Sequence, residues 1–162
     1  MKLSIVPEKH RIRLKYTAAA LTLEALGILA LFAVLGCAVL RYPALGETVA
    51  RSFAPDGTPT EWAVREYALV FPIFAVFVYV IVSAAGLVVR RAAPPDRPCP
   101  TLSVILNGVA AAKVVFLLYA FVRTRCAMSG VPAPGWLLPL MLVAFALVAA
   151  AAVFSARNVK RR

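Results

Sequence analysis

The fold is decided by residues 67–89, which read YALVFPIFAVFVYVIVSAAGLVV and contain no Asp, Glu, Lys, Arg or His. A helix needs about 20 predominantly apolar residues to cross a hydrocarbon core about 30 Å thick. This stretch is long enough, and it is apolar on all faces, as immersion in lipid or in a bundle core requires. A barrel strand would be about 10 residues long and would alternate apolar and polar positions. Residues 67–89 therefore predict a membrane-spanning helix.

Three further stretches have the same character, at residues 16–40, 102–122 and 136–156. The chain has 162 residues, of which 62% are hydrophobic and 15% charged, and its mean hydropathy is +0.85. Soluble domains contain roughly 45–50% apolar residues, so this chain lacks the polar side chains that would cover a soluble globule. The sequence predicts an all-α integral membrane protein, one domain built as a bundle of four transmembrane helices.

The distribution of positive charge predicts the orientation of the bundle. Of the 18 Lys and Arg residues, twelve lie before the first span, between the second and third, or after the fourth, and five lie in the other connections. Because cytoplasmic loops accumulate Lys and Arg, we expect both termini in the cytoplasm and loop 41–66 outside, in a multi-pass protein of the inner (plasma) membrane. The net charge of +11 is explained by anionic lipid headgroups, and we expect no nucleic-acid partner.

Loop 41–66 is the longest connection and carries the clearest local signals. Gly57 follows an aspartate in a turn pattern, and it can adopt positive φ. Thr58, Pro59 and Glu61 then have the spacing of a capping box with proline at the first helical position. These residues predict that the second helix begins near Pro59, well before the bilayer.

Three residues of this predicted helix have expected positions relative to the membrane. Trp62 and Tyr67 would lie at headgroup depth, where amphipathic aromatic side chains are enriched. Pro72 would kink the helix soon after it enters the bilayer, because proline cannot donate a hydrogen bond to the carbonyl one turn back.

Two ionisable residues, Glu24 and Lys113, lie inside the predicted spans, and charge at such depth costs at least about 2.5–3.5 kcal/mol. At about 1.5 Å per residue, Glu24 lies roughly 10 Å and Lys113 roughly 17 Å from the cytoplasmic ends of their helices. The two positions therefore differ in depth by about 7 Å, which the side chain of a lysine nearly spans. We predict that Glu24 and Lys113 pair, with Asn107 near the depth of Glu24. A structural pin between spans one and three is favoured over a proton or ion relay, and separate snorkelling to opposite surfaces is the third alternative.

The sequence contains no catalytic or metal-binding constellation that we can identify. The single histidine, His10, lies in the basic N-terminal segment without acidic or thiol neighbours of suitable spacing. The three cysteines have no metal-ligand spacing. Cys37 and Cys126 both fall near the predicted outer face, where a disulfide is geometrically feasible, although free thiols are the default expectation. We expect no enzymatic activity, no cofactor and no bound metal.

The stretch from the first connection into the second span contains a set of residues at characteristic positions. They are Tyr42, Pro43, Leu45, Val49, Phe53, Gly57, Pro59, Trp62, Arg65 and Pro72. This stretch resembles the domain of unknown function found in SdpI-type immunity proteins and in many small bacterial membrane proteins, whose pattern is close to YPxL followed by IPxHFNxxGxPDxWxxK. Arg65 stands where the family has Lys. The chain departs from that pattern at Ala50, Ser52, Ala54 and Thr60, where the family has Pro, His, Asn and Asp. The resemblance implies protection against a toxic peptide at the membrane and, in some members, signalling.

We therefore expect a small membrane protein with a binding or regulatory role of the immunity type. Its partners would be the lipid bilayer and a membrane protein or peptide at the outer face. The expected recognition residues in the outer loop are Phe53, Gly57, Pro59, Trp62 and Arg65. One alternative is a transporter or channel component that uses Glu24, Asn107 and Lys113. The other is an accessory subunit of a larger membrane complex.

Overall fold

The computed structural model describes residues 17–54, 56–92 and 100–160, and four long helices dominate this part of the chain. They are α1 (Ala18–Arg41), α2 (Val70–Ala92), α3 (Pro100–Ser129) and α4 (Leu137–Lys160). Each is long and apolar enough to cross a membrane. The predicted set of four apolar helices is therefore confirmed, and the composition is that of a multi-pass membrane protein.

The connection between α1 and α2 is a β-hairpin, which the sequence analysis did not predict. Its strands are β1 (Thr48–Phe53) and β2 (Pro59–Val64), and they pair antiparallel. Short 3-10 turns at Tyr42–Ala44 and Arg65–Leu69 join the hairpin to the two helices. The fold is thus a helical bundle with a small sheet at one end, which we call the hairpin end.

The prediction that a helix starts near Pro59 is wrong. Thr58 does not cap a helix; its backbone N–H and its hydroxyl both donate to the carboxylate of Asp56, at 2.9 and 2.7 Å. Gly57 completes the turn with φ +87°. Glu61, expected to close the capping box, instead accepts a hydrogen bond from the Ser52 hydroxyl across the hairpin, at 3.0 Å. The local cap pattern was overridden by pairing with β1, which lies several residues earlier in the chain.

The predicted kink at Pro72 is replaced by a helix start. α2 begins at Val70, so Pro72 lies in its first turn. There the missing N–H leaves no gap in the helix, because the first N–H groups have no partner within the helix. The proline therefore marks the change from the 3-10 turn to α2.

Helix α3 extends seven residues beyond the apolar stretch that predicted it, to Ser129. It ends in a Schellman motif: the N–H of Gly130 donates to the Ala127 carbonyl and that of Val131 to the Cys126 carbonyl. Gly130 has φ +65°, which a residue without Cβ adopts readily. The added turns bring polar residues of α3 up to the hairpin.

The core lies along α3, which packs against the other three helices. One buried cluster joins α1, α2 and α3 through small and aliphatic side chains, namely Ala30, Val34, Ala75, Leu117 and Ala120. A second, at the hairpin end, joins Ala38, Val49, Ala68 and Met128, so β1 is packed onto the helices. α4 packs mainly on α3, where a Cβ built on Gly108 would lie 2.9 Å from the Ala152 Cβ.

Candidate functional site

A buried lysine organises the polar residues within the helices. The Lys113 side chain on α3 is 1% exposed, and its Nζ donates to Glu24 Oε2 at 2.7 Å and to the Ser83 hydroxyl at 2.8 Å. The same Nζ lies 4.6 Å from the centroid of the Tyr79 ring. We call Glu24, Tyr79, Ser83 and Lys113 the lysine cluster. It joins α1, α2 and α3.

Helix geometry explains why these four side chains meet. Tyr79 and Ser83 are four residues apart on α2 and therefore share a face. Side chains lean toward the N-terminus of their helix, so the Lys113 stem runs from α3 toward the level of Glu24. Gly27 leaves space for that stem, because a Cβ at this position would lie 3.4 Å from Lys113 Cε and 3.5 Å from Tyr79 Cε2.

The chemistry of the lysine cluster is that of a satisfied buried cation. An ammonium has three N–H donors, and here a carboxylate, a hydroxyl and an aromatic face surround it. Glu24 is 30% exposed, so the cluster is closed around the lysine and partly open around the acid. An arrangement that satisfies both charges stabilises the relative positions of three helices, and removing one charge leaves the other uncompensated.

Asn107 does not join the lysine cluster. It lies on α3 six residues before Lys113, which places it about 120° away around the helix. Its Oδ1 is buried and has no hydrogen-bond partner among the described residues. Of the three polar residues named for the spans, the structure brings two into contact and leaves the third apart.

Of the five residues expected in outer-loop recognition, three are exposed and two contact other parts of the chain. Trp62 and Pro59 are exposed on β2, and the Trp62 exposure is 63%. Arg65 is also exposed; its Nε contacts Glu66 Oε1 at 3.4 Å, and its guanidinium lies 5.3 Å from the centroid of the Tyr42 ring.

The remaining two residues, Phe53 and Gly57, lie next to other parts of the chain. Phe53 is half-buried and lines a small cavity between the hairpin, α2 and α3. A Cβ built on Gly57 would lie 3.8 Å from Pro132 Cγ, so the turn of the hairpin touches the segment after α3. Phe53 and Gly57 therefore contribute to docking of the hairpin, whereas Trp62, Pro59 and Arg65 form its open side.

The structure adds functional candidates that the sequence analysis missed. Tyr79 and Ser83 carry a recognisable signal, since two polar-tipped residues four apart in an apolar helix share one face. Arg51 and Arg123 lie far apart in the chain and line the same cavity as Phe53. No local pattern indicates that meeting, because it depends on how the hairpin docks on α3.

Among residues 17–54, 56–92 and 100–160, no group of three His, Cys, Asp or Glu side chains could hold a metal ion. Cys37 and Cys126 are free thiols. His10 lies outside the described residues, as does Cys99. No family model, curated protein or solved structure matches this chain.

Proposed function

We propose that this chain is a multi-pass protein of the inner (plasma) membrane that recognises a membrane protein or peptide at the outer face through its hairpin. The observation that carries this proposal is the openness of β2. Five of its six residues are exposed, whereas β1 is partly buried against the helices. Packing thus holds the hairpin in place and leaves one strand available for contact with a partner.

Trp62 is the central contact residue in this proposal. A tryptophan that is 63% exposed contributes little to the packing of its own chain, and tryptophan and arginine are enriched at the energetic centres of interfaces. Arg65 lies one residue past the end of β2, and its charge is partly compensated by Glu66. An immunity-like or signalling role would follow if the partner is a toxic peptide or a sensor.

The experiment compares the two exposed tryptophans at the hairpin end, Trp62 and Trp136. Trp136 is 62% exposed and directly precedes α4. Like Trp62 it can anchor in lipid headgroups, but it is not part of the hairpin. A strain lacking the protein would be complemented with the wild type, Trp62→Ala or Trp136→Ala at equal membrane levels, then challenged with envelope stress or toxic peptides. We expect Trp136→Ala to restore resistance and Trp62→Ala to fail. Full complementation by Trp62→Ala, or equal failure of both, would contradict the proposal.

A second candidate function uses the lysine cluster in ion or proton translocation. The observation that favours it is the 30% exposure of Glu24 next to a lysine that is 1% exposed, which gives the ion pair contact with the surroundings on one side. Ion flux into liposomes containing the purified protein would test it. Flux that Lys113→Met abolishes and Arg125→Gln preserves would favour transport over recognition.

A role as accessory subunit is the third candidate, and pull-down in mild detergent separates it from the others. An accessory subunit would co-purify with its complex in both tryptophan variants. A recognition protein would lose its partner in Trp62→Ala alone.

A further inference from the structure

A small cavity lies where the hairpin meets α2 and α3. Its volume is about 50 Å³, several times the roughly 10–15 Å³ that one water molecule needs. Residues from five segments line it, namely β1, the 3-10 turn before α2, α2, α3 and the segment after α3; chief among them are Arg51, Phe53, Tyr67, Phe71, Arg123 and Cys126. It is therefore large enough for a compact polyatomic group.

Two arginines dominate the charge of this cavity. The Arg51 guanidinium carbon lies 5.5 Å from the centroid of the Tyr67 ring, and that of Arg123 lies 4.8 Å from the centroid of the Phe71 ring. Stacking on an aromatic face orients a guanidinium without removing its charge. Two oriented positive groups thus border the same small space.

The backbone of β1 contributes to this arrangement. Ala50 pairs with Trp62 and Ser52 pairs with Glu61, so Arg51 is an additional residue in an irregular part of the ladder. Bulges of this kind redirect a side chain relative to its neighbours. The irregularity lies at Arg51, which borders the cavity and remains exposed to the surroundings on its other side.

No acidic residue among those described lines the cavity, and neither Arg51 nor Arg123 forms an ion pair within that part of the chain. Of the four acids in residues 41–66, Asp56 and Glu61 accept hydrogen bonds from Thr58 and Ser52, and Glu66 contacts Arg65. The fourth, Glu47, neither lines the cavity nor forms an ion pair with either arginine. The positive charge at the cavity therefore lacks a counter-charge supplied by the described hairpin and helices.

We propose that this cavity binds a phosphate group through Arg51 and Arg123. Guanidinium groups match the oxygens of a phosphate in paired hydrogen bonds, and two of them on separate elements suit a group with several oxygens. Arg123 directly follows the apolar stretch 102–122, which places it near headgroup level if α3 crosses the bilayer. An anionic phospholipid headgroup is the expected source, and free phosphate is the other source of the same chemistry. This site is separate from the Trp62 surface and does not depend on it.

Cys126 provides a direct readout of occupancy, because it is one of the residues that line the cavity. In full-length protein carrying Cys37→Ser and Cys99→Ser in uncharged detergent, Cys126 would be alkylated with a small thiol reagent. Short-chain phosphatidylglycerol or inorganic phosphate would be titrated in separate arms. We expect saturable protection of Cys126 by the lipid. Protection by inorganic phosphate alone, with the same arginine dependence, would also support the site and would identify free phosphate as the source.

Arginine variants test whether Arg51 and Arg123 are responsible for the protection of Cys126. Arg51→Gln with Arg123→Gln should weaken protection at least about tenfold, a loss of about 1.4 kcal/mol. Arg41→Gln with Arg125→Gln removes the same charge at the same end without touching the cavity lining, and should change protection less than about twofold. If the glutamine pair fails to fold, Arg51→Lys with Arg123→Lys keeps the charge and should still lose affinity. Three results would overturn the proposal. The wild type shows no protection of Cys126; the Arg41→Gln, Arg125→Gln control loses as much protection as the Arg51→Gln, Arg123→Gln variant; or both the glutamine and the lysine variants of Arg51 and Arg123 bind as the wild type does.

Discussion

Lys113 is the residue whose environment most constrains the packing of this protein. A lysine that is 1% exposed within an apolar helix remains charged at low cost only if its surroundings replace water. Glu24, Ser83 and Tyr79 do so from two other helices. The consequence is that α1, α2 and α3 have one relative register in which the cluster is complete, and a shift by a turn breaks it.

The coupling within the ion pair is measurable in a double-mutant cycle. Glu24→Gln leaves a buried ammonium without its carboxylate, and we expect a loss of about 3 kcal/mol in the free energy of unfolding, the lower end for a buried pair because Glu24 is partly exposed. Lys113→Met should cost less, because Glu24 is partly exposed and retains contact with the surroundings. Reversible unfolding in mixed micelles would give the values. We expect the double variant to be more stable than the sum of the single losses predicts by at least about 1 kcal/mol, and strictly additive losses would exclude the coupling.

The hydrogen bonds to Asp56 should make the stability of the hairpin turn depend on pH. The Thr58 backbone N–H and hydroxyl donate to its carboxylate, and these hydrogen bonds hold the pKa of Asp56 below its ordinary value. A lowered folded-state pKa means that the stabilisation is present above the unfolded-state pKa and is lost as pH falls through the folded-state pKa. Carboxyl NMR titration would show this directly. Thr58→Val keeps the backbone N–H and removes the hydroxyl, so the pKa of Asp56 should rise only part of the way toward its ordinary value. An unchanged pKa would contradict a contribution from the hydroxyl.

The helices were predictable because length and apolarity are properties of a continuous stretch. The hairpin was not, because residues 58–61 have the spacing of a helix cap, and their strand pairing depends on residues 48–53. The end of α3 was missed for a different reason. Arg123 and Arg125 end the apolar stretch, but a helix ends where its capping residues lie, and here those are Gly130 and Val131.

The candidate site likewise contains one contact that the sequence predicts and others that it does not. The contact between Glu24 and Lys113 follows from the positions of two charges in separate apolar helices and from the length of a lysine stem. Ser83 and Tyr79 could be recognised on one face of α2, but not assigned to Lys113. The cavity lined by Arg51 and Arg123 depends on docking of the hairpin onto α3, which no short-range pattern in the sequence encodes.

The crossing of α3 and α4 depends on a glycine. A Cβ on Gly108 would lie 2.9 Å from the Ala152 Cβ, so Gly108→Ala should force the helices apart and destabilise the protein by about 1–3 kcal/mol. Combining it with Ala152→Gly should recover most of that loss. Gly36→Ala is the matched control, since nothing lies within 4 Å of its added Cβ. Thermal unfolding in detergent would rank the four proteins, and equal stability of Gly108→Ala and Gly36→Ala would contradict the close contact.

The molecule as a whole has a packed centre and a fourth helix that packs mainly on α3. α3 contacts α1, α2 and α4, and both buried clusters include it. α4 exposes large apolar side chains along its length, among them Leu142, Leu147 and Phe154. In water such a surface would aggregate, whereas in lipid it requires no protein partner. If the four helices cross the bilayer, the hairpin lies at one membrane surface and the end of α4 at the other.

The orientation of the molecule decides whether the hairpin can meet a partner outside the cell. In a background with all three cysteines replaced by serine, single cysteines at Trp62 and Asn158 would report on the two ends, since both positions are exposed. Intact cells would be treated with a membrane-impermeant maleimide. We predict that Trp62→Cys is labelled in intact cells and that Asn158→Cys is labelled only after permeabilisation. Labelling of Asn158→Cys in intact cells, or of Trp62→Cys only after permeabilisation, would contradict the four-crossing arrangement with its hairpin outside.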